Sequence, residues 1–314
     1  MVVIEDPDTL GIICGPNDRN LKQLEELLGT RIFTRGNEIH LEGRNPGKLT
    51  LFLNVMQDLE ESVRRGRIPD IHMISAIYQA CTSDGADNRE GLKKSEIYIP
   101  GGSQKIVPRT IHQSAYMNIM RSHDLTFCIG PAGTGKTYLA IAYALEEVLS
   151  RRCRKLILSR PVIEAGENLG YLPGDLTQKL DPYLKPLFDA MEDLLTPATL
   201  QRMQESNMIE ISPLAYMRGR SLKNSMIVLD EAQNTTREQM KMFLTRLGEG
   251  SRAVVTGDVT QIDLPCKEKS GLLQAVKILK NVKGIGFSTF TRDDVVRHQL
   301  VKKILEAYEQ EHSH

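Results

Sequence analysis

Gly130-Pro131-Ala132-Gly133-Thr134-Gly135-Lys136-Thr137 brings together the residue types needed to hold a chain of phosphates. The spacing is G-x-x-x-x-G-K-[ST]. Glycines let consecutive backbone N–H groups turn inward and approach phosphate oxygens that a Cβ would keep away. Lys136 is expected to reach the β- and γ-phosphates, and the Thr137 hydroxyl to ligate Mg²⁺. A helix beginning at Lys136 adds its positive N-terminal end to the same place. Residues 125–129 before the loop are apolar and β-leaning, and residues 138–145 after it are helix-forming. Strand, glycine loop and helix are the setting in which this spacing binds a nucleoside triphosphate.

Hydrolysis needs two further groups, one for the metal and one for water. Residues 226–229 are apolar and end in Asp230-Glu231. The sequence places this strand beside the phosphate loop, with Asp230 near the metal held by Thr137 and Glu231 polarising the attacking water. Asp258 and Gln261 follow another apolar strand, where they would face the ligand crevice as water-orienting or γ-phosphate-sensing groups. They would serve equally as caps of the next loop, and spacing does not choose. Gln113, upstream, offers a donor and an acceptor that suit an adenine edge, but alone it carries no weight. Arg297 is the best candidate for an arginine that neutralises transition-state charge, in its own subunit or a neighbour's, with Arg160 and Arg220 behind it. A surface ion pair to Asp293 or Asp294 is the other reading of Arg297, and the sequence alone favours it.

The elements that must position these residues alternate. Strands are expected at 125–129, 156–159, 209–212, 226–230, 253–256 and 284–289, and helices at 136–149, 181–195, 198–205, 237–247, 270–279 and 301–309. That alternation predicts an α/β domain with a parallel sheet over 106–314. A breaker-rich stretch at 83–105 reads as a linker, and residues 1–82 as a small α+β unit. In that unit Asn17 or Asp18 is expected to cap a helix ending at Gly29. A hairpin turning at Gly36-Asn37 follows, then helices at 47–65 and 69–80.

Composition sets outer limits. The 314 residues are 40% hydrophobic and 25% charged, with zero formal net charge, as in an ordinary globular chain. No apolar run reaches membrane-spanning length and the first residues are not a signal peptide, so a cytoplasmic protein with no membrane contact is expected. The five cysteines show no C-x-x-C pair, which fits reduced thiols. Basic clusters at 64–67, 151–155 and 218–223 read equally as solvated faces or as contacts to nucleic acid.

Taken together, the motifs resemble the PhoH family of ATPases, relatives of superfamily 1 helicases. The strings that carry the likeness are 129–137, 166–175, 219–225 running into 229–234, Thr256-Gly257-Asp258 with Gln261, and Asp294-Val295-Val296-Arg297-His298. The resemblance covers roughly 105–310 and raises Gln261, Gln113 and Arg297 above what spacing alone supports. It implies a RecA-like P-loop NTPase sheet with flanking helices, ATP and Mg²⁺ as ligands, and a homo-oligomeric ring such as a hexamer. The phosphate-binding residues would be Gly130, Pro131, Ala132, Gly133, Thr134, Gly135, Lys136 and Thr137, with Asp230 and Thr137 at the metal and Glu231, Lys136, Gln261 and Arg297 catalytic. The N-terminal unit resembles a reduced KH module, although Gly15-Pro16-Asn17-Asp18 lacks the second glycine of a G-x-x-G clamp.

The expected function is therefore an RNA-associated Mg²⁺-dependent ATPase acting in RNA metabolism or ribosome maturation, with helicase action open. The alternative is a nucleotide-dependent scaffold that recruits an endoribonuclease without RNA-stimulated turnover. A small-molecule kinase is disfavoured, because Asp230-Glu231 activates water that a kinase must exclude.

Overall fold

The computed structural model describes residues 1–43, 45–82, 89–92, 95–102, 105–161, 176–266 and 269–295. The chain divides into two compact units, Met1–Ser95 with Val107–Ala115, and Glu96–Ile106 with Tyr116–His314.

The larger unit is built on six strands: β4 (Leu125–Ile129), β5 (Lys155–Arg160), β6 (Ile209–Pro213), β7 (Ser225–Leu229), β8 (Arg252–Gly257) and β9 (Ile285–Thr289). They pair in the order β6-β5-β7-β8-β4-β9, and every pairing is parallel. Near-continuous apolar strands of this kind need cover on both faces. Cys128, Leu156, Leu158, Met226, Val228 and Val254 point into one core with the helix Lys136–Leu149. Phe127, Ile157, Ile227, Leu229, Ala253 and Val255 point into the other, against the helices Arg237–Leu244 and Gly271–Leu279. A period of two along each strand thus serves two cores at once. This is the mixed α/β architecture of a P-loop NTPase, with helices flanking a parallel sheet.

Register then decides what stands at the sheet's carboxyl edge. Ile129 pairs with Gly257, Leu229 with Val255, and Ser159 with Leu229. Arg160, Asp230, Asp258 and Gly130 therefore finish their strands along one edge, where ligands of open parallel sheets bind.

Three expectations need correction here. The carboxylate strand does not adjoin the phosphate-loop strand, because β8 lies between β7 and β4. A helix at Ile111–Ser122, absent from the sequence reading, has its apolar positions broken up by polar His112, Gln113 and Asn118. Part of the expected linker also contributes to a core: Ile97, Ile99 and Ile106 are buried, and Ile97 bridges Ile106 in antiparallel fashion. Isolated isoleucines among breakers have no period to read. The expected helix at 301–309 lies outside the described residues.

In the smaller unit β1 (Val2–Val3), β3 (Glu38–Leu41) and β2 (Ile32–Arg35) form an antiparallel sheet in that order. Gly36, at φ +63°, turns the β2–β3 hairpin, as Gly-Asn turns do. Helices Pro7–Cys14, Arg19–Leu28, Pro46–Arg64 and Ile71–Thr82 complete it. Asn17 and Asp18 do not cap: both adopt left-handed backbone, and Asp18 accepts no capping bond. The capping aspartate is Asp6, which accepts from the Thr9 N–H at 3.0 Å with Pro7 at the first helical position. The core is Ile4, Ile13, Leu24, Ile39, Phe52, Val55, Met56 and Ile74 with their neighbours. Beside it the buried Asp58 carboxylate takes a two-pronged contact from Arg89, 2.9 Å on each oxygen.

Part of each basic cluster is ion-paired. Arg64 and Arg65 bind Glu60 and Glu61 one turn back at 2.6 Å, and Arg152 binds Glu147 at 2.8 Å. Lys155 and Arg220 converge on Glu210, whose carboxyl they hold down at about 2, Arg220 contributing most. All five cysteines are unbridged. No helix of the described residues is long and apolar enough to cross a membrane.

Candidate active site

At the carboxyl edge of the larger sheet lies a cleft of ≈ 260 Å³. It is lined by Ala132, Gly133, Gly135, Lys136 and Thr137 of the loop, by Asp230 and Glu231 after β7, and by Asp258 and Gln261 after β8. The loop bends at Gly133 and Gly135, with φ of +81° and +84°, backbone that L side chains rarely adopt. Gly135 is the residue from which the helix Lys136–Leu149 springs, so that helix's unpaired N–H groups face the cleft. Gly257 is needed for a different reason. A Cβ there would come within 2.5 Å of Leu272 and 2.9 Å of the Gln233 carboxamide.

Lys136 is buried, and desolvation pulls its ammonium below the usual lysine value against the opposing pull of Asp258, Asp230 and Glu231. Its Nζ donates to the Pro131 carbonyl at 2.8 Å, so the loop's cation rests on the loop's own backbone. Asp258 fastens the same loop from the far side. One of its oxygens accepts from the Ala132 N–H at 3.1 Å, and the other accepts from the Thr260 N–H at 2.9 Å and hydroxyl at 2.6 Å. Asp258 therefore caps its own turn, one of the two readings the sequence left open, and also tethers the loop, a contact the sequence did not suggest.

Although β8 separates the two strands, Thr137 crosses the gap from the first turn of its helix. Its hydroxyl donates to Asp230 Oδ1 at 2.7 Å, and the Thr256 hydroxyl donates to the same oxygen at 2.7 Å. Thr137 and Asp230 thus offer two hard oxygens next to a phosphate-shaped loop. Among the described residues no cluster of three or more His, Cys, Asp or Glu is placed to hold a metal. Two oxygen donors and no cage suit Mg²⁺, which keeps waters and shares substrate phosphates, rather than a resident structural ion.

Glu231 stands at φ +51°, a left-handed conformation that costs a non-glycine residue about 1 kcal/mol and clusters at functional positions. Its Oε1 accepts from Arg160 Nη2 at 2.8 Å and its Oε2 from Gln233 Nε2 at 2.6 Å. Gln233 is 1% exposed and ties the carboxylate to the neighbouring loop, donating also to the Gln261 carbonyl at 3.1 Å and accepting from the Asp258 N–H at 2.9 Å. The sequence reading placed Gln233 and Thr256 in the strings that carry the family resemblance but gave neither a role of its own. A glutamine two residues past a carboxylate pair and a threonine ending a strand were the available signals, each too common to stand out.

Gln261 lies exposed at the rim of the cleft. Gln113 belongs with the smaller unit, where its carboxamide oxygen accepts from the Arg109 N–H at 2.7 Å. Arg297 and the string 166–175 lie outside the described residues. Arg220 is engaged with Glu210 on β6.

A parallel sheet with this order, a glycine loop running into a helix and paired carboxylates at the strand ends define the P-loop class of nucleotide-binding folds. Comparison with known sequences narrows the class. A model of the family described as PhoH-like protein matches residues 105–309. The PhoH-like protein of Bacillus subtilis is 44% identical over 309 residues, covering 98% of this chain and 96% of that one. Its counterpart in Synechocystis sp. is 42% identical over 309 residues, covering 98% and 93%. Protein PhoH of Escherichia coli K12 is 42% identical over 205 residues, 65% of this chain and 58% of that protein. The chain belongs to the PhoH family.

Proposed function

We propose that the chain is a cytoplasmic Mg²⁺-dependent ATPase whose turnover is coupled to RNA handling, in RNA metabolism or ribosome maturation. The observation that carries the catalytic half is the cleft itself. Lys136, the Thr137–Asp230 contact and Glu231 stand around one cavity in the order hydrolysis requires. The backbone N–H groups of the glycine loop bind and orient the phosphates. Lys136 exchanges the Pro131 carbonyl for the β/γ-phosphate oxygens. Thr137 and Asp230 would hold Mg²⁺, which supplies charge neutralisation and a template for the phosphates. Glu231 takes the proton of the attacking water as the new O–P bond forms, and the bond to the β-phosphate oxygen breaks to release ADP and phosphate.

The RNA half is supported by the family likeness and by the KH-like order of helices and hairpin in the smaller unit. Among the described residues one parallel-sheet core is present, with no second one for it to work a strand against, which supports action as a ring such as a hexamer, with Arg297 supplied across a subunit boundary. The second reading, a nucleotide-dependent scaffold for an endoribonuclease, draws on the departure at Gly15-Pro16-Asn17-Asp18. There an aspartate stands where a phosphate clamp needs glycine. Turnover of ATP with and without single-stranded RNA, measured alongside solution mass, separates the two. Stimulation by RNA in a ring-sized assembly supports the ATPase reading; nucleotide-dependent capture of a ribonuclease without stimulation supports the scaffold.

A further inference from the structure

Arg160 ends β5 and reaches behind the two carboxylates that end β7. Its guanidinium lies 2.8 Å from Glu231 Oε1 and 4.0 Å from Asp230 Oδ2, and its side chain is 19% exposed. Register makes this no accident of a surface rotamer: Ser159 pairs with Leu229, so Arg160 and Asp230 leave their strands side by side. The cation therefore sits on the one carboxylate that hydrolysis requires to accept a proton. While that bond stands, water competes for Oε1 with a charge-assisted donor, the stronger class of hydrogen bond.

The charges lining the cleft favour release once substrate arrives. Its walls carry one lysine, Lys136, against the three carboxylates Asp230, Glu231 and Asp258. A triphosphate entering it meets more like charge than opposite charge from these side chains, and Mg²⁺ brings that count only to balance, leaving the added phosphate charge to be met. Among the described residues, Arg160 is the guanidinium already ion-paired with both Asp230 and Glu231. A guanidinium also matches the forked oxygens of a terminal phosphate at least as well as those of a carboxylate. Glu231 is meanwhile retained by Gln233 on its other oxygen and by its left-handed backbone, so losing Arg160 frees one oxygen without releasing the side chain.

We propose that Arg160 is a γ-phosphate-sensing residue that clamps Glu231 in the nucleotide-free chain. On ATP binding it moves from Glu231 Oε1 to the terminal phosphate, and that exchange opens Oε1 to the attacking water. The step moves one ion-pair partner and no proton or electron. It ties activation of the base to the presence of a γ-phosphate, so ADP leaves the clamp closed. The role differs from that proposed for Arg297, since Arg160 acts within its own subunit and from the base side. The inference rests on the ATPase reading above.

The test measures ATP and ADP affinities in the presence of Mg²⁺, together with kcat and KM, for the full chain and for Arg160→Ala and Arg160→Lys. Arg160→Ala is expected to weaken ATP by about tenfold or more while ADP binds as before, and to lower kcat as well. Arg160→Lys should recover part of both losses. Equal weakening of ATP and ADP would make Arg160 structural and overturn the proposal. Lower kcat with an unchanged ATP-to-ADP affinity ratio would confine it to holding Glu231 and overturn the exchange. Failure of the unaltered chain to bind either nucleotide would overturn the site reading and the clamp with it, whereas intact ADP binding in every variant isolates the clamp as the part under test.

Discussion

The smaller sheet is antiparallel, and a two-residue turn joins β2 to β3; every pairing in the larger sheet is parallel, and its strands return only after long connections. In the first arrangement the β2–β3 neighbours in space are neighbours in sequence, and polar groups fall wherever the turn puts them. In the second, every strand finishes at the same edge, so Gly130, Arg160, Asp230 and Asp258 meet from positions spread over more than a hundred residues of sequence. Among the described residues the smaller unit's buried Asp58 pairs with Arg89 for its own packing. The larger unit buries Glu147 in the same structural way, but it also gathers Lys136, Asp230 and Asp258 at a cleft. Topology, more than composition, decides which half of this chain can do chemistry.

The largest break in that comparison comes from Lys136→Ala. It would remove the cationic contact proposed for the β/γ-phosphates and should abolish nucleotide binding or turnover in a folded variant. Unchanged affinity and turnover would show that the loop does not hold the phosphates. Next is Arg297→Ala, expected to keep nucleotide binding and lose turnover by about a thousandfold. Mixing it with the Lys136→Ala chain should restore part of the activity if mixed assemblies form, because some boundaries then carry one intact copy of each residue. Mixed assemblies that stay inactive would place Arg297 within its own subunit or in the fold.

The smallest effect sharpens the contrast from the other side. Arg89→Ala strands the buried Asp58 carboxylate and should cost about 2 kcal/mol of stability in denaturant unfolding. That lies below the range for a fully buried pair, because the Arg89 side chain is 28% exposed. ATP turnover per folded molecule should stay as it was. A fall in turnover at full occupancy of the folded state would show that the smaller unit's charges reach the chemistry.

How much of this was legible in the sequence follows the same division. The glycine loop, Lys136, Thr137 and the Asp230-Glu231 pair are local strings, and local strings can be read without knowing the fold. The β2–β3 hairpin at Gly36-Asn37 was legible for the same reason. The contacts that organise the site were not. Arg160 on Glu231 and Asp258 on the Ala132 N–H join residues 71 and 126 positions apart, and only the strand order, with β8 between β4 and β7, brings them together. Gln233 stood in a family-like string without a role of its own, because its three hydrogen bonds run to groups that no periodicity connects. Asp6 and Asp18 teach the complementary lesson: each precedes a helix of its own, and backbone conformation, extended at Asp6 and left-handed at Asp18, not residue type, decides that only Asp6 accepts a capping bond.

The most direct test of the account compares phosphate release from ATP by the unaltered chain and by Glu231→Gln, with ATP affinity measured on the same samples. An amide keeps the shape of the carboxylate and can accept one of its two hydrogen bonds, but cannot take water's proton. The account predicts ATP affinity at least equal to that of the unaltered chain and release slower by about a hundredfold or more. Release at an undiminished rate, or loss of ATP binding, would contradict the assignment of Glu231 as the base.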